Sequence, residues 1–219
     1  MTRKYALATA ALLAASFPLS AQTVASAGTA PVTVAVPANL PPIPAARQFT
    51  HWGQIERSHD DEENASSISL TLPFDDTQRG VFIRRGALRS VEMSTGFVYA
   101  GTTLKAYPDV VTLVLKFTRP TDVALRSDRE GTGDIAIYVD GGVPIVVAGP
   151  LVSRNGLDVS GGRARQVEDT YIVVLGLVQF LRIVNGAQVD AQLHDIRMEF
   201  TGGPLEAMRD LASRIELAP

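Results

Sequence analysis

Apolar and polar residues alternate over several stretches of the chain, a period of two that is typical of half-buried β-strands. The alternation is clearest over 109–117, where large apolar residues occupy every second position from Val111 to Phe117. Alternation, together with β-branched and aromatic composition, predicts a chain built mostly from strands. The predicted strands before the C-terminal segment cover 49–57, 68–74, 91–99, 109–117 and 167–174.

The register of the apolar residues predicts a β-hairpin over 134–148. A three-residue loop at 140–142 (Asp-Gly-Gly) brings the apolar positions of both arms onto one face, whereas a two-residue loop does not align them. Glycine supplies the positive φ that such loops need. The predicted pairs are Val139 with Val143, Ile137 with Ile145, and Ile135 with Val147.

A second hairpin is predicted over 189–200, with a two-residue turn at His194-Asp195. This register also places every apolar side chain on one face, so the apolar pattern and the turn length agree. The predicted pairs are Leu193 with Ile196, Ala191 with Met198, and Val189 with Phe200.

Two helices are predicted around the second hairpin. The first covers 176–184 and ends at Asn185-Gly186, although the apolar run over 171–180 fits a strand as well as a helix, and both alternatives stay open. The second helix begins at Pro204, because proline suits the first helical position. Its predicted apolar stripe consists of Leu205, Met208, Leu211, Ala212 and Ile215.

These elements predict an α+β fold. A mostly antiparallel β-sheet or sandwich is expected from about residue 47 to 174, completed by a C-terminal strand–helix–hairpin–helix segment. In outline this segment resembles short exported bacterial proteins that end in the same order of elements. No diagnostic motif accompanies the likeness, so it transfers no site residue to this chain.

The N-terminal residues have the layout of a cleavable signal peptide. Arg3 and Lys4 precede an apolar, alanine-rich run over 5–17, and small residues follow it. Residues 1–27 are therefore predicted to be removed, with cleavage near 21 or 27, and the product is expected to be periplasmic or extracellular. Since the run is shorter than the ~20 residues that a helix needs to span a bilayer, no transmembrane segment is expected in the mature chain.

Proline and alanine dominate the next segment, 28–46, which is predicted to be an extended linker. A single exported domain is then expected over 47–219. The chain contains no cysteine, so neither a disulfide nor a thiolate metal site can form, and an exported domain of this kind depends on its hydrophobic core.

The charge balance narrows the expected partners. The formal net charge is −3, and removal of Arg3 and Lys4 with the signal peptide would lower it to −5. A mildly acidic protein with scattered charges argues against nucleic acid as a partner. The sequence does not identify the partner, and both an envelope component and another protein stay open.

The most suggestive polar cluster contains His51, His59 and the acidic run 60–63. Imidazoles and carboxylates bind zinc, and carboxylates bind calcium, so His51, His59, Asp60 and Asp61 are the candidate metal ligands. Their spacing matches neither a zinc motif nor a calcium loop, and a run of four acids is typical of a solvated loop. No metal and no other cofactor is therefore predicted.

Catalytic motifs are missing from the sequence. There is no G-x-S-x-G nucleophile turn and no phosphate-binding glycine loop. The three histidines, His51, His59 and His194, are the available histidine general bases. No catalytic residue is predicted, and a non-catalytic binding or structural role in the envelope or outside the cell is favoured. The alternative is a small secreted hydrolase with a carboxylate/His site.

Overall fold

The structure of the chain is a computed structural model that describes residues 40–74, 90–121, 133–160, 163–193 and 196–216. All of them belong to one unit, 35–219. The predicted signal peptide, 1–27, and the turn at His194-Asp195 lie outside the described residues. The part of the chain that is described contains no helix with the length and hydropathy that a bilayer span requires.

Six strands form the larger of two antiparallel sheets. They are β1 (Gln54–Asp60), β2 (Ala65–Phe74), β3 (Ser90–Ala100), β4 (Val110–Pro120), β7 (Leu151–Ser160) and β8 (Arg163–Gly176). Their order across the sheet is β1-β2-β3-β4-β8-β7. The predicted apolar face of β4 is confirmed, since its alternate residues from Val111 to Phe117 are buried.

Four strands form the smaller sheet. They are β5 (Asp134–Val139), β6 (Ile145–Ala148), β9 (Val189–Leu193) and β10 (Ile196–Phe200). The order is β10-β9-β5-β6, so the C-terminal hairpin extends the hairpin of β5 and β6. The buried faces of both sheets contribute to a single hydrophobic core.

Two helices complete the described fold: α1 (Leu177–Asn185) and α2 (Gly203–Ser213). α1 follows β8 directly, which resolves the ambiguity over 171–180: the strand ends at Gly176 and the helix begins at Leu177. The predicted apolar stripe of the last helix is buried along its whole length, including Ile215 just beyond the helix end. The structure therefore confirms the α+β fold and the strand–helix–hairpin–helix order at the C-terminal end.

The register of the second hairpin is confirmed at every predicted pair, namely Leu193 with Ile196, Ala191 with Met198, and Val189 with Phe200. All six side chains are buried. The first hairpin has the predicted register at Ile137 with Ile145 and at Ile135 with Val147.

The third predicted pair of the first hairpin, Val139 with Val143, is wrong. β6 begins only at Ile145, and Val143 is 83% exposed. The cause is the loop: Asp140 and Gly141 have φ angles of 51° and 68°, and this left-handed pair turns the chain away before Val143 can join the ladder. Val139 pairs instead with Val189 of β9.

The strand β7 has no counterpart among the predicted strands. Its sequence, LVSRNGLDVS, has no regular alternation because β7 is an edge strand with a register shift between Leu151 and Ser153. β1 begins at Gln54, later than the predicted start at 49, because the preceding residues lie against α2 instead of pairing with β2.

A buried carboxylate lies in the core-facing row of β8. Asp169 is fully buried, and its two oxygens accept hydrogen bonds from Arg119 of β4 at 2.9 Å and from Arg154 of β7. The side chain of Arg119 is only 4% exposed. A buried charge without a partner lowers the free energy of unfolding by several kcal/mol. The arginines on the two neighbouring strands offset this cost for the buried carboxylate of Asp169.

The lead-in segment, 40–53, packs against the domain. Leu40 and Ile43 contact the core, and Asn185 at the end of α1 donates a side-chain hydrogen bond to the carbonyl oxygen of Pro42 at 2.8 Å. Trp52 covers Gly203 at the start of α2. The part of the predicted linker that is described, 40–46, thus lies beside the helices.

Candidate functional site

A pocket lies on the outer face of the smaller sheet, with a volume of about 290 Å³ and an opening to solvent. We call it the outer-sheet pocket. Its lining combines an aromatic ring, a carboxylate, an amide and a guanidinium. The residues that line it are Tyr138, Gly141, Asp190, Ala191, Gln192 and Arg197.

Strand alternation explains why these polar side chains share one face. The core positions of β9 are Val189, Ala191 and Leu193, so the residues between them, Asp190 and Gln192, point outward. Cross-strand pairing then sets their neighbours. Asp190 lies between Tyr138 of β5 and Glu199 of β10, and Gln192 lies between Ala136 and Arg197.

The charges on this face form a local network. Nη2 of Arg197 lies 3.1 Å from Oδ1 of Asp190 and 3.8 Å from Oε1 of Glu199. The other carboxylate oxygen of Asp190 accepts a hydrogen bond from Gln188 at 3.3 Å. Arg197 remains 63% exposed, so the cation stays within reach of a ligand even though one of its nitrogens is engaged.

The loop at one end of the pocket is fixed by Asp140. Its Oδ1 atom accepts hydrogen bonds from the backbone N–H groups of Ala187 and Gln188, each at 2.8 Å, and its own N–H donates to the carbonyl oxygen of Gln188 at 2.8 Å. These bonds tie the loop after β5 to the segment before β9. The pocket therefore has a rigid end wall, and a ligand need not order this loop when it binds.

His51 forms the second polar arrangement of interest, but it lies away from the outer-sheet pocket and beside α2. Its Nε2 atom is 3.0 Å from Oδ2 of Asp210, and Oδ1 of the same carboxylate accepts from Nε of Arg214 at 3.0 Å. Burial acts to raise the pKa of the Asp210 carboxyl, but the hydrogen bonds from Arg214 and His51 outweigh it and hold that pKa below its ordinary value.

The chemistry open to this pair is limited by burial. The side chain of His51 is 9% exposed, and its buried Nδ1 atom has no hydrogen-bond partner among the described residues. A general base needs its free nitrogen within reach of a substrate proton or a nucleophile. Ser213, the nearby hydroxyl on α2, donates instead to the backbone carbonyl oxygen of Asp210 at 2.7 Å.

Of the four candidate metal ligands, the structure brings only His59 and Asp61 into side-chain contact. His51 contacts Asp210, whereas His59, at the end of β1, contacts the hydroxyl of Ser66 at 2.9 Å and Asp61 at 3.4 Å. Asp60 accepts hydrogen bonds from the backbone N–H groups of Glu62 and Glu63 and so closes the turn between β1 and β2. Within the described residues, no group of three or more His, Asp or Glu side chains could hold a metal ion.

The residues of the outer-sheet pocket were not among the candidates that the sequence analysis named. A signal for them was nevertheless present, because the register that placed Ala191 opposite Met198 also places the intervening polar residues together on the other face. His194, the third candidate general base, lies outside the described residues.

Comparison of the chain with protein-family models, with curated proteins and with solved structures gave no match.

Proposed function

We propose that the protein is an exported bacterial protein of the envelope or the extracellular space, and that it binds a small polar group without transforming it. The outer-sheet pocket is the proposed binding site. The observation that carries this proposal is a preformed pocket in which Tyr138, Asp190, Gln192 and Arg197 converge on one sheet face. In small-ligand sites, a few convergent polar groups in a concave pocket fix the orientation of the ligand.

The placement of the described histidines supports binding over catalysis. Neither His51 nor His59 lines the outer-sheet pocket. The observation that favours a small hydrolase is the His51–Asp210 pair, but the Nδ1 atom of His51 is buried and, in the part of the chain that the structure describes, no nucleophile is hydrogen-bonded to it.

Export rests on the N-terminal pattern of Arg3, Lys4 and the apolar run that follows. Amino-terminal sequencing of the protein recovered from the periplasm or the medium is expected to begin at residue 22 or 28. Recovery of the uncut chain from the cytoplasm would contradict export.

Binding is tested by co-sedimentation of the mature protein with washed, insoluble envelope material from the producing bacterium. The wild type is expected to enter the pellet, and the double variant Asp190→Asn, Arg197→Gln is expected to stay in solution. Val98→Thr is the matched control, since Val98 is 60% exposed on the other sheet. Equal sedimentation of all three proteins, or of none, would contradict the proposed site, and release of soluble product that depends on His51 would favour the hydrolase.

A further inference from the structure

We infer that the outer-sheet pocket takes one ring of a neutral saccharide, an inference that rests on the binding function proposed above. Three properties of the pocket lead to this ligand class: its charge balance, the shapes of its polar groups, and its size.

The charge balance of the pocket disfavours ions of either sign. Among the described residues, the lining contains one carboxylate and one guanidinium, Asp190 and Arg197, and they are already paired at 3.1 Å. A cation would have to displace Arg197 from Asp190, and an anion would have to draw Arg197 away while facing both Asp190 and Glu199. A neutral ligand leaves the pair intact, so it avoids the cost of breaking a charge-assisted hydrogen bond.

The polar groups of Asp190 and Arg197 can bind two neighbouring hydroxyl groups of a ligand. A guanidinium has five N–H donors in one plane, and Arg197 directs Nη2 at Asp190, so donors remain for a ligand. A carboxylate has two oxygens with about four acceptor sites, so Asp190 retains acceptor capacity beside its bonds from Arg197 and Gln188. Adjacent donors and acceptors in fixed planes match neighbouring hydroxyls on a sugar ring, each of which both donates and accepts.

Tyr138 supplies the remaining element of such a site. It lies opposite Asp190 in the register and is half-buried, with its ring on the wall of the pocket. An aromatic ring offers an apolar surface to the C–H groups of a sugar, while its hydroxyl adds one donor and acceptor. Because Tyr138 is the one aromatic side chain among the described residues that line the pocket, these residues offer a single ring for stacking.

The size of the pocket sets the length of the recognised unit. A volume of about 290 Å³ lies just below the range of ~300–1,000 Å³ for small-molecule sites. The pocket is open on its outer side, so neighbouring units of a longer chain can extend into solvent. The inferred ligand is therefore one unit of an oligosaccharide or polysaccharide.

The inference is tested by isothermal titration of the mature protein with three neutral trisaccharides: N,N′,N″-triacetylchitotriose, maltotriose and cellotriose. Glycylglycine, spermidine and inorganic phosphate serve as zwitterionic, cationic and anionic probes. At least one trisaccharide is expected to saturate the protein. Tyr138→Leu is expected to weaken that binding about ten-fold through loss of the ring. If the tyrosine variant does not fold, the same titration is made with Arg197→Gln, which is also expected to bind more weakly. Val98→Thr is expected to bind as the wild type does.

Two results would overturn the saccharide inference: binding of none of the trisaccharides, or saturation by a charged probe that is lost in both pocket variants. If sedimentation with envelope material still depends on Asp190 and Arg197, either result shows that the ligand is not a neutral saccharide, while the proposed binding function still holds. Loss of sedimentation would instead remove the binding function itself.

Discussion

The Nε2 atom of His51 lies 3.0 Å from Oδ2 of Asp210, although 159 residues separate the two in the sequence. One helical turn earlier on α2, Glu206 accepts hydrogen bonds from Arg47 at 3.0 and 3.1 Å. The lead-in segment therefore runs along α2 and is held to it by two polar contacts in register. These two contacts connect the lead-in segment to α2, the last described helix.

Loss of the Asp210 carboxylate is expected to destabilise the protein. Asp210→Asn removes the charge that accepts hydrogen bonds from His51 and Arg214, and loss of charge-assisted bonds at a largely buried site costs about 1–3 kcal/mol. Urea unfolding at pH 7 measures the change in the free energy of unfolding. Asp61→Asn is the matched control, because the Asp61 side chain is 99% exposed; equal stability of both variants would contradict the assigned contact.

The same variant is expected to change the dependence of stability on pH. Since the pKa of Asp210 is lowered in the folded protein, the folded state binds this proton more weakly than the unfolded state. The stabilisation is then complete above the ordinary carboxyl pKa of about 3.9 and is lost as the pH falls through the folded-state value. Between roughly pH 5 and 3, the free energy of unfolding should fall more steeply for the wild type than for Asp210→Asn. Parallel curves would contradict this direction.

A methyl group at Gly203 is expected to displace Trp52. A Cβ atom at this position would overlap the indole ring, and overpacking of this kind costs about 1–3 kcal/mol, more than the helix gains from alanine. Trp52 is the only tryptophan, so its fluorescence reports the change directly as a shift to longer wavelength. Gly176→Ala is the control before the other helix, where the nearest atom is 3.6 Å away, the Oε1 atom of Gln179. An unshifted spectrum for Gly203→Ala would contradict the packing.

Neutralising the buried Asp169 is expected to be the most damaging change in the larger sheet. Asp169→Asn removes the charge of a fully buried carboxylate that accepts hydrogen bonds from Arg119 and Arg154, and breaking a buried ion pair costs about 3–5 kcal/mol. Thermal unfolding should show a lower midpoint, or no cooperative transition at all. Glu168→Gln, at the neighbouring and less buried position, is the control; a midpoint for Asp169→Asn as high as that of this control would show that the cluster contributes little.

The registers of the two hairpins could be read from the sequence because only one alignment buries every apolar residue. At the second hairpin that reasoning holds for all pairs, from Leu193 with Ile196 to Val189 with Phe200. It fails at Val143 because the positive φ angles of Asp140 and Gly141 turn the backbone. The ladder of β5 and β6 therefore ends before Val143, although Val143 is apolar.

The pairing of strands that are distant in the sequence could not be predicted from the apolar pattern. Nothing in the local alternation shows that β9 pairs with β5 and so joins a second sheet. The edge strand β7 is largely polar, since it is paired on one side and has few core positions. The outer-sheet pocket depends on both facts, because Tyr138 meets Asp190 only through the pairing of β5 with β9. The contact of His51 with Asp210 likewise comes from chain packing that no spacing rule encodes.

The most direct test of the proposed binding site is hydroxyl-radical footprinting of the mature protein, free and bound to envelope material. Protection from oxidation is expected at Tyr138 and on the peptide that carries Arg197, with unchanged labelling at Tyr107, which is half-buried outside the pocket. Unchanged labelling of Tyr138, with protection appearing instead around Val98 on the larger sheet or around His51, would contradict the outer-sheet pocket as the site of binding.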